Sequence, residues 1–150
     1  MTLDFQKKRA VKIKMLDCIK SMADDSTRKL KEKATAPVAE HLLKVDENCK
    51  KLERQRAKEF HNMVAQRLHV IKQSRADIQP AMAFMCTRVK DPDEDDWKKL
   101  CGLIAYLKDM LDSCLTLKAN QHKILAWHVD ASHGAHADDK GHTGGALTMG

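Results

Sequence analysis

Apolar and polar positions along this chain change period several times, and each change marks an element. Thr2-Leu3-Asp4-Phe5 alternates in polarity, and so does Val11-Lys12-Ile13-Lys14-Met15 after a basic polar stretch, so the pattern predicts a β-hairpin over 2–15. Leu16 to Met22 then reads as a short helix, with Leu16, Ile19 and Cys18 or Met22 on one side. Residues 23–51 keep no period. Asp24-Asp25-Ser26-Thr27, a Lys-rich run from Arg28 to Lys33 and Thr35-Ala36-Pro37 make them a linker. From Leu52 to Gln73 the period becomes helical: Ala57, Phe60, Val64, Leu68 and Ile71 fall on one stripe, with Lys58, Arg67 and Lys72 off it. Asp77 is placed to cap a second helix, with Pro80 in its first turn and Ile78, Ala81, Met82, Met85 and Val89 facing inward. Asp91-Pro92 opens a third, with Asp91 as N-cap and Trp97, Leu100, Cys101, Ile104, Leu107 and Leu111 at helical spacing. After residue 113 the period falls to two. Leu115-Thr116-Leu117 is a short strand, and Ile124 to Asp130 a longer one. Gly144-Gly145-Ala146-Leu147-Thr148-Met149 is the partner of the longer strand across a His- and Gly-rich connection.

The pattern therefore predicts an α+β chain: an N-terminal hairpin and short helix (1–22), a linker (23–51), a three-helix central part (52–112) and a C-terminal hairpin that is an incomplete sheet (113–150). Length and composition agree. One hundred and fifty residues and 17.0 kDa suit a single ordinary domain, and 43% hydrophobic with 32% charged residues excludes a wholly disordered chain. An aromatic share of 4% is low for packed sandwiches or barrels, which favours helices. No apolar run approaches the roughly 20 residues needed to span a bilayer. The N-terminal residues put their charges after their apolar positions, so no signal peptide is expected. The five cysteines, Cys18, Cys49, Cys86, Cys101 and Cys114, form no C-x-x-C pair and are odd in number. Without a leader they read as reduced thiols of a cytoplasmic or nuclear protein, not a secreted one, with Cys86, Cys101 and Cys114 among Met, Leu and Ile as small buried hydrophobes.

Charge is uneven. Residues 1–75 carry 19 Lys and Arg against 10 Asp and Glu, net +9, whereas residues 76–150 carry 8 against 11, net −3. Such asymmetry fits one surface facing a polyanion as well as it fits a solvated helical face. The acidic run Asp93-Glu94-Asp95-Asp96 has a structural reason, since it complements the positive end of a helix dipole. Asp130 is the carboxylate best placed for chemistry, at the end of an apolar strand and followed by Ala131 and Ser132. Two-metal phosphodiester chemistry needs several converging carboxylates. After Asp130 only Asp138 and Asp139 remain, and Glu94 is the last Glu. His133, His136 and His142 lack a cysteine to complete a tetrahedral zinc site, so no metal site is expected. Met22-Ala23-Asp24-Asp25 reads as a helix end, and no G-x-S-x-G, P-loop or G-x-G-x-x-G occurs.

Four segments together resemble copia-type LTR retrotransposon polyproteins. Phe60-His61-Asn62-Met63 through Ser74-Arg75-Ala76-Asp77-Ile78 to Phe84 resembles the family's helix ending in Arg-Pro-Asp-Ile, with Ala76 where the family has Pro. Asp95-Asp96-Trp97-Lys98-Lys99-Leu100 and Ile104-Ala105-Tyr106-Leu107-Lys108 resemble the following His-Trp to Tyr-Leu-Lys-Gly helix, with Asp96 replacing His and Asp109 replacing Gly. Val129-Asp130-Ala131-Ser132 and Lys140-Gly141-His142-Thr143-Gly144-Gly145 resemble the first strand and basic turn of the family's ribonuclease H domain. Thr2-Leu3-Asp4-Phe5 with Val11-Lys12-Ile13 resembles the hairpin after the polymerase palm.

The resemblance implies a fragment that runs from the end of the reverse transcriptase region, through thumb- and connection-like helices, into a truncated ribonuclease H-like start. Asp130 would be the first ribonuclease H carboxylate, in an incomplete site. The fragment would be no enzyme, although its intact parent would be an RNA-directed DNA polymerase with ribonuclease H and Mg²⁺. No cofactor is expected here. The expected partners are template–primer duplex, bound weakly through Lys7, Lys8, Arg9, Lys12 and Lys14, and the remaining polyprotein segments, with no membrane. The alternative is a small helical protein-interaction module without a nucleic-acid role.

Overall fold

The computed structural model describes residues 1–5, 10–25, 43–119, 124–134 and 141–148, with backbone alone at 23–25 and 142. It is an α+β fold with helices at the centre and two small antiparallel sheets. Strand β1 (Thr2–Asp4) pairs with β2 (Ala10–Lys14), in the register Leu3 opposite Ile13 and Asp4 opposite Lys12. Helix α1 (Leu16–Asp25) follows at once and runs three residues past the expected end, so Met22-Ala23-Asp24-Asp25 is its last turn. Its inward residues Ile19 and Met22, with Met15 just before it, are buried.

The core is built by three helices, α2 (Arg54–Ser74), α3 (Gln79–Arg88) and α4 (Glu94–Asp109), with a 3₁₀ turn over Ala76–Ile78 between the first two. Phe60, Val64 and Ile71 on the expected stripe of α2 are buried, and Val70 joins them. They meet Ile78, Met82, Phe84 and Met85 from α3 and its lead-in turn, and Leu100, Leu103 and Ile104 from α4. With few rings available, unbranched methionines fill the irregular gaps between leucines and isoleucines. Pro80 sits in the first turn of α3, where its missing N–H costs nothing.

The start of α4 differs from the sequence expectation. Asp91 does not cap it. The N-cap is Asp93, in extended backbone, whose carboxylate accepts from the N–H groups of Asp95 (3.0 Å) and Asp96 (2.9 Å). Asp96 reaches back to the Asp93 N–H (3.1 Å) and completes a capping box. Tertiary pairing decides the shift. Lys51 bridges Asp93 as an antiparallel pair; Leu52 N–H donates to the Pro92 carbonyl and Glu94 N–H to that of Lys50. Residues 92–93 are thereby held extended, and the helix starts two residues later. Lys50 and Lys51, at the end of the expected linker, are thus tied to the core, and Leu52 next to them is buried.

Strand β3 (Leu115–Lys118) also departs from expectation. It joins no C-terminal sheet but the far side of β2, giving the order β1-β2-β3, with Leu115 opposite Ile13 and Leu117 opposite Val11. Apolar meets apolar across the pair, which sets the register. The second sheet is a hairpin of β4 (Ala126–Ser132) and β5 (His142–Thr148), paired from Ala126–Thr148 to Ser132–His142 as the sequence pattern expects. Two glycines serve its loop. Gly134 has φ 64°, and a Cβ on Gly141 would lie 2.1 Å from the Ser132 carbonyl oxygen. Among the described residues no helix is long and apolar enough to cross a membrane.

Candidate nucleic-acid interface and a buried ion-pair pocket

Register places Lys12 and Lys14 on one face of the three-stranded sheet, because residues two apart on a strand point the same way. Their cross-strand partners share that face: Thr2 opposite Lys14, with Asp4 and Thr116 flanking Lys12. Lys118, opposite Ala10, adds a third lysine from β3. The face therefore carries three cations and one carboxylate, while Leu3, Val11, Ile13, Leu115 and Leu117 line the opposite one. Lys7, Lys8 and Arg9 lie outside the described residues. Lys118 was not among the expected contacts, although Leu115-Thr116-Leu117-Lys118 repeats the apolar–polar alternation of β2 and so carried the signal.

A second basic feature runs along α2. Arg54, Lys58, His61, Ala65, His69 and Lys72 follow steps of three and four on its exposed side, with no carboxylate among them. The stripe covers about 27 Å of helix. Arg67 does not belong to it. Expected off the apolar stripe, it is 1% exposed; its guanidinium donates to the carbonyls of Met63 (2.9 Å) and Met22 (3.2 Å) and so ties α2 to the last turns of α1.

Asp130 lies on exposed β4, opposite Gly144, with His128 and Ser132 at the neighbouring positions of the same face. His133 is exposed in the turn beyond the strand. His136, Asp138, Asp139 and Lys140 lie outside the described residues. No group of three His, Cys, Asp or Glu able to hold a metal is found among the described residues.

The acidic run at 93–96 is held by cations within the fold. Arg88 bonds Asp93 (3.0 Å) and Asp96 (2.9 Å), and Lys99 bonds Asp95 (2.7 Å). Arg56 pairs with Glu94 and stacks its guanidinium 4.7 Å over Trp97. Burial pushes the Asp96 carboxyl above the ordinary value, opposed by the Asp93 N–H and by Arg88.

A pocket of about 300 Å³ opens where the helices meet β3, walled by Arg75, Asp77, Tyr106, Ser113 and Cys114. Asp77 does not cap α3. It accepts two bonds from Arg75, from Nε to Oδ1 (2.9 Å) and from Nη2 to Oδ2 (2.7 Å), and a third from the Tyr106 hydroxyl (3.1 Å). Arg75 also donates from Nη1 to the Met110 carbonyl (3.0 Å) and lies 5.4 Å over the Tyr106 ring. The hydrogen bonds from Arg75 hold the Asp77 carboxyl below its usual value. Burial, then the bond to Asp77, pushes the Tyr106 phenol up, so it remains a protonated donor. The wall is a neutral ion pair, buried on the Arg75 side and open to solvent on the Asp77 side, that fastens the end of α2 to the end of α4. All five cysteines are free and half-buried, and burial raises the thiols of Cys86 and Cys101 away from nucleophilic thiolate.

No family model matches the chain, and neither a curated protein nor a solved structure shows significant similarity to it.

Proposed function

We propose that the chain is a piece of a copia-type retrotransposon polyprotein, spanning the end of the reverse transcriptase region and the start of ribonuclease H, without catalytic activity of its own and with residual non-specific binding to nucleic-acid backbone. The supporting observation is the register that aligns Lys118 with Lys12 and Lys14 on one sheet face. Lysines on a strand are point charges suited to phosphate oxygens, and such contacts carry no sequence information. On the catalytic side, metal-dependent strand cleavage requires converging carboxylates. Asp130 has His128, Ser132 and Gly144 as its nearest positions on its own face of the hairpin. The proposed setting is cytoplasmic or nuclear, and the proposed partners are template–primer duplex and further polyprotein segments.

Fluorescence anisotropy with a labelled RNA–DNA hybrid tests the binding. Three phosphate contacts predict a salt slope near −2.7, so affinity falls roughly 40-fold between 50 and 200 mM salt. Replacing Lys12, Lys14 and Lys118 by Glu together abolishes the measurable signal, and Lys118→Glu alone weakens it about tenfold. Binding insensitive to salt, or retained by the triple variant, would overturn the assignment of this face. Consumption of the hybrid in Mg²⁺ by the purified chain would overturn the proposed lack of activity. A second reading, an interaction module without a nucleic-acid role, is favoured by the exposed apolar face of the C-terminal hairpin.

A further inference from the structure

We propose that the apolar face of the β4–β5 hairpin is a dimer interface, packed face to face on the same hairpin of a second copy of this chain. Register puts Trp127 directly opposite Leu147 and Val129 opposite Gly145, so these side chains share one face, with Ala131 and Thr143 beyond them. The large ones are open to solvent: Trp127 is 67% exposed, Val129 64% and Leu147 56%. Leu125, two positions before Trp127, is 64% exposed as well. None of them belongs to the helical core of the described residues.

Two physical arguments select the occupant. A two-stranded hairpin is marginal in water and gains independent stability only when a hydrophobic face is covered. The four large apolar side chains of that face leave roughly 500 Å² exposed per chain, about 1,000 Å² in a symmetric pair, which is the size from which a specific interface begins. A second hairpin supplies a face of the same shape and area, and a two-fold axis closes the assembly at two copies. The product is a four-stranded, two-layer sandwich with sheets about 10 Å apart. The opposite face, with His128, Asp130 and Ser132, stays in water, so no charge is buried. The inference does not rest on the retroelement reading, since neither the basic face nor Asp130 takes part.

Sedimentation equilibrium on the full chain tests it. Between roughly 1 and 100 µM the mass rises from 17.0 kDa to twice that value and stops. Trp127→Lys remains at the monomer mass throughout, with the helical circular dichroism signal unchanged. Leu147→Lys, on the other strand, gives the same result and serves should Trp127→Lys lose its helical signal. Ser132→Lys, on the polar face, dimerises as the parent does. A parent chain that stays monomeric, one that grows past the dimer, or lysine variants at 127 and 147 that still associate would each overturn the proposal.

Discussion

Asp93→Ala lowers the unfolding free energy by roughly 3–4 kcal/mol, whereas Asp91→Ala costs less than about 0.5 kcal/mol. The two residues are nearly equivalent in the sequence, both being aspartates beside Pro92 at the mouth of the same helix. Their surroundings separate them. Asp93 is 1% exposed and accepts from two N–H groups of the first turn of α4, besides its bond from Arg88. Loss of an N-cap alone costs about 1 kcal/mol. The rest comes from leaving the first-turn N–H groups and a guanidinium with only 17% of its side chain exposed short of a partner, softened because Arg88 still holds Asp96. Asp91, by contrast, pairs with Lys51 in the open, with 71% of its side chain exposed. Asp93→Asn keeps the cap but not the charge and falls between the two, at roughly 1–2 kcal/mol. Urea unfolding at constant m-value measures all three. Equal losses at 91 and 93 would return the cap to Asp91.

That contrast also marks how far the sequence can be read. The stripe Phe60, Val64 and Ile71 and the pairing of Trp127 with the Gly144–Thr148 segment are local patterns, and local patterns survive into the fold. The start of α4 depends on residues 50–52, some 40 positions earlier, and no window around Asp91 contains them. β3 is similar: it lies closer in sequence to β4, yet Leu115 and Leu117 find their apolar partners in β2, about 100 residues away. Arg67 and Arg75 are the hardest to foresee. Arginine is almost never fully buried unless paired, and their partners are a carbonyl at the end of another helix, a carboxylate two residues on and the C-terminus of α4. The alternation of β2 and that of β3 are each legible in the sequence, whereas only the long-range register sets Lys118 beside Lys12 and Lys14.

Arg75→Ala costs roughly 2–4 kcal/mol, and Asp77→Asn removes part of the acid sensitivity of the fold. Arg75 is 1% exposed, so its truncation leaves a cavity beneath Tyr106 and frees the Met110 carbonyl at the end of α4. Asp77 keeps 39% of its side chain in solvent and can turn to water, which holds the loss below that of a fully enclosed pair. The sign of the pH effect follows from the same geometry. The Asp77 carboxyl titrates below its ordinary value of 3.8 in the folded chain, because the charged form holds the Arg75 fork. Its stabilising contribution is therefore complete above pH 3.8 and fades as the pH falls from there through the lowered folded-state value. Asp77→Asn has no such proton to gain. It is less stable at neutral pH, and its stability declines less steeply over the acid range. Were Asp77 merely a helix cap, as its position before Pro80 suggests, Asn would replace it at little cost, since the two cap equally well. Thermal unfolding of both chains from neutral pH to below pH 3.8 separates these roles, and parallel curves for the two would exclude the ion pair as the fastening between α2 and α4.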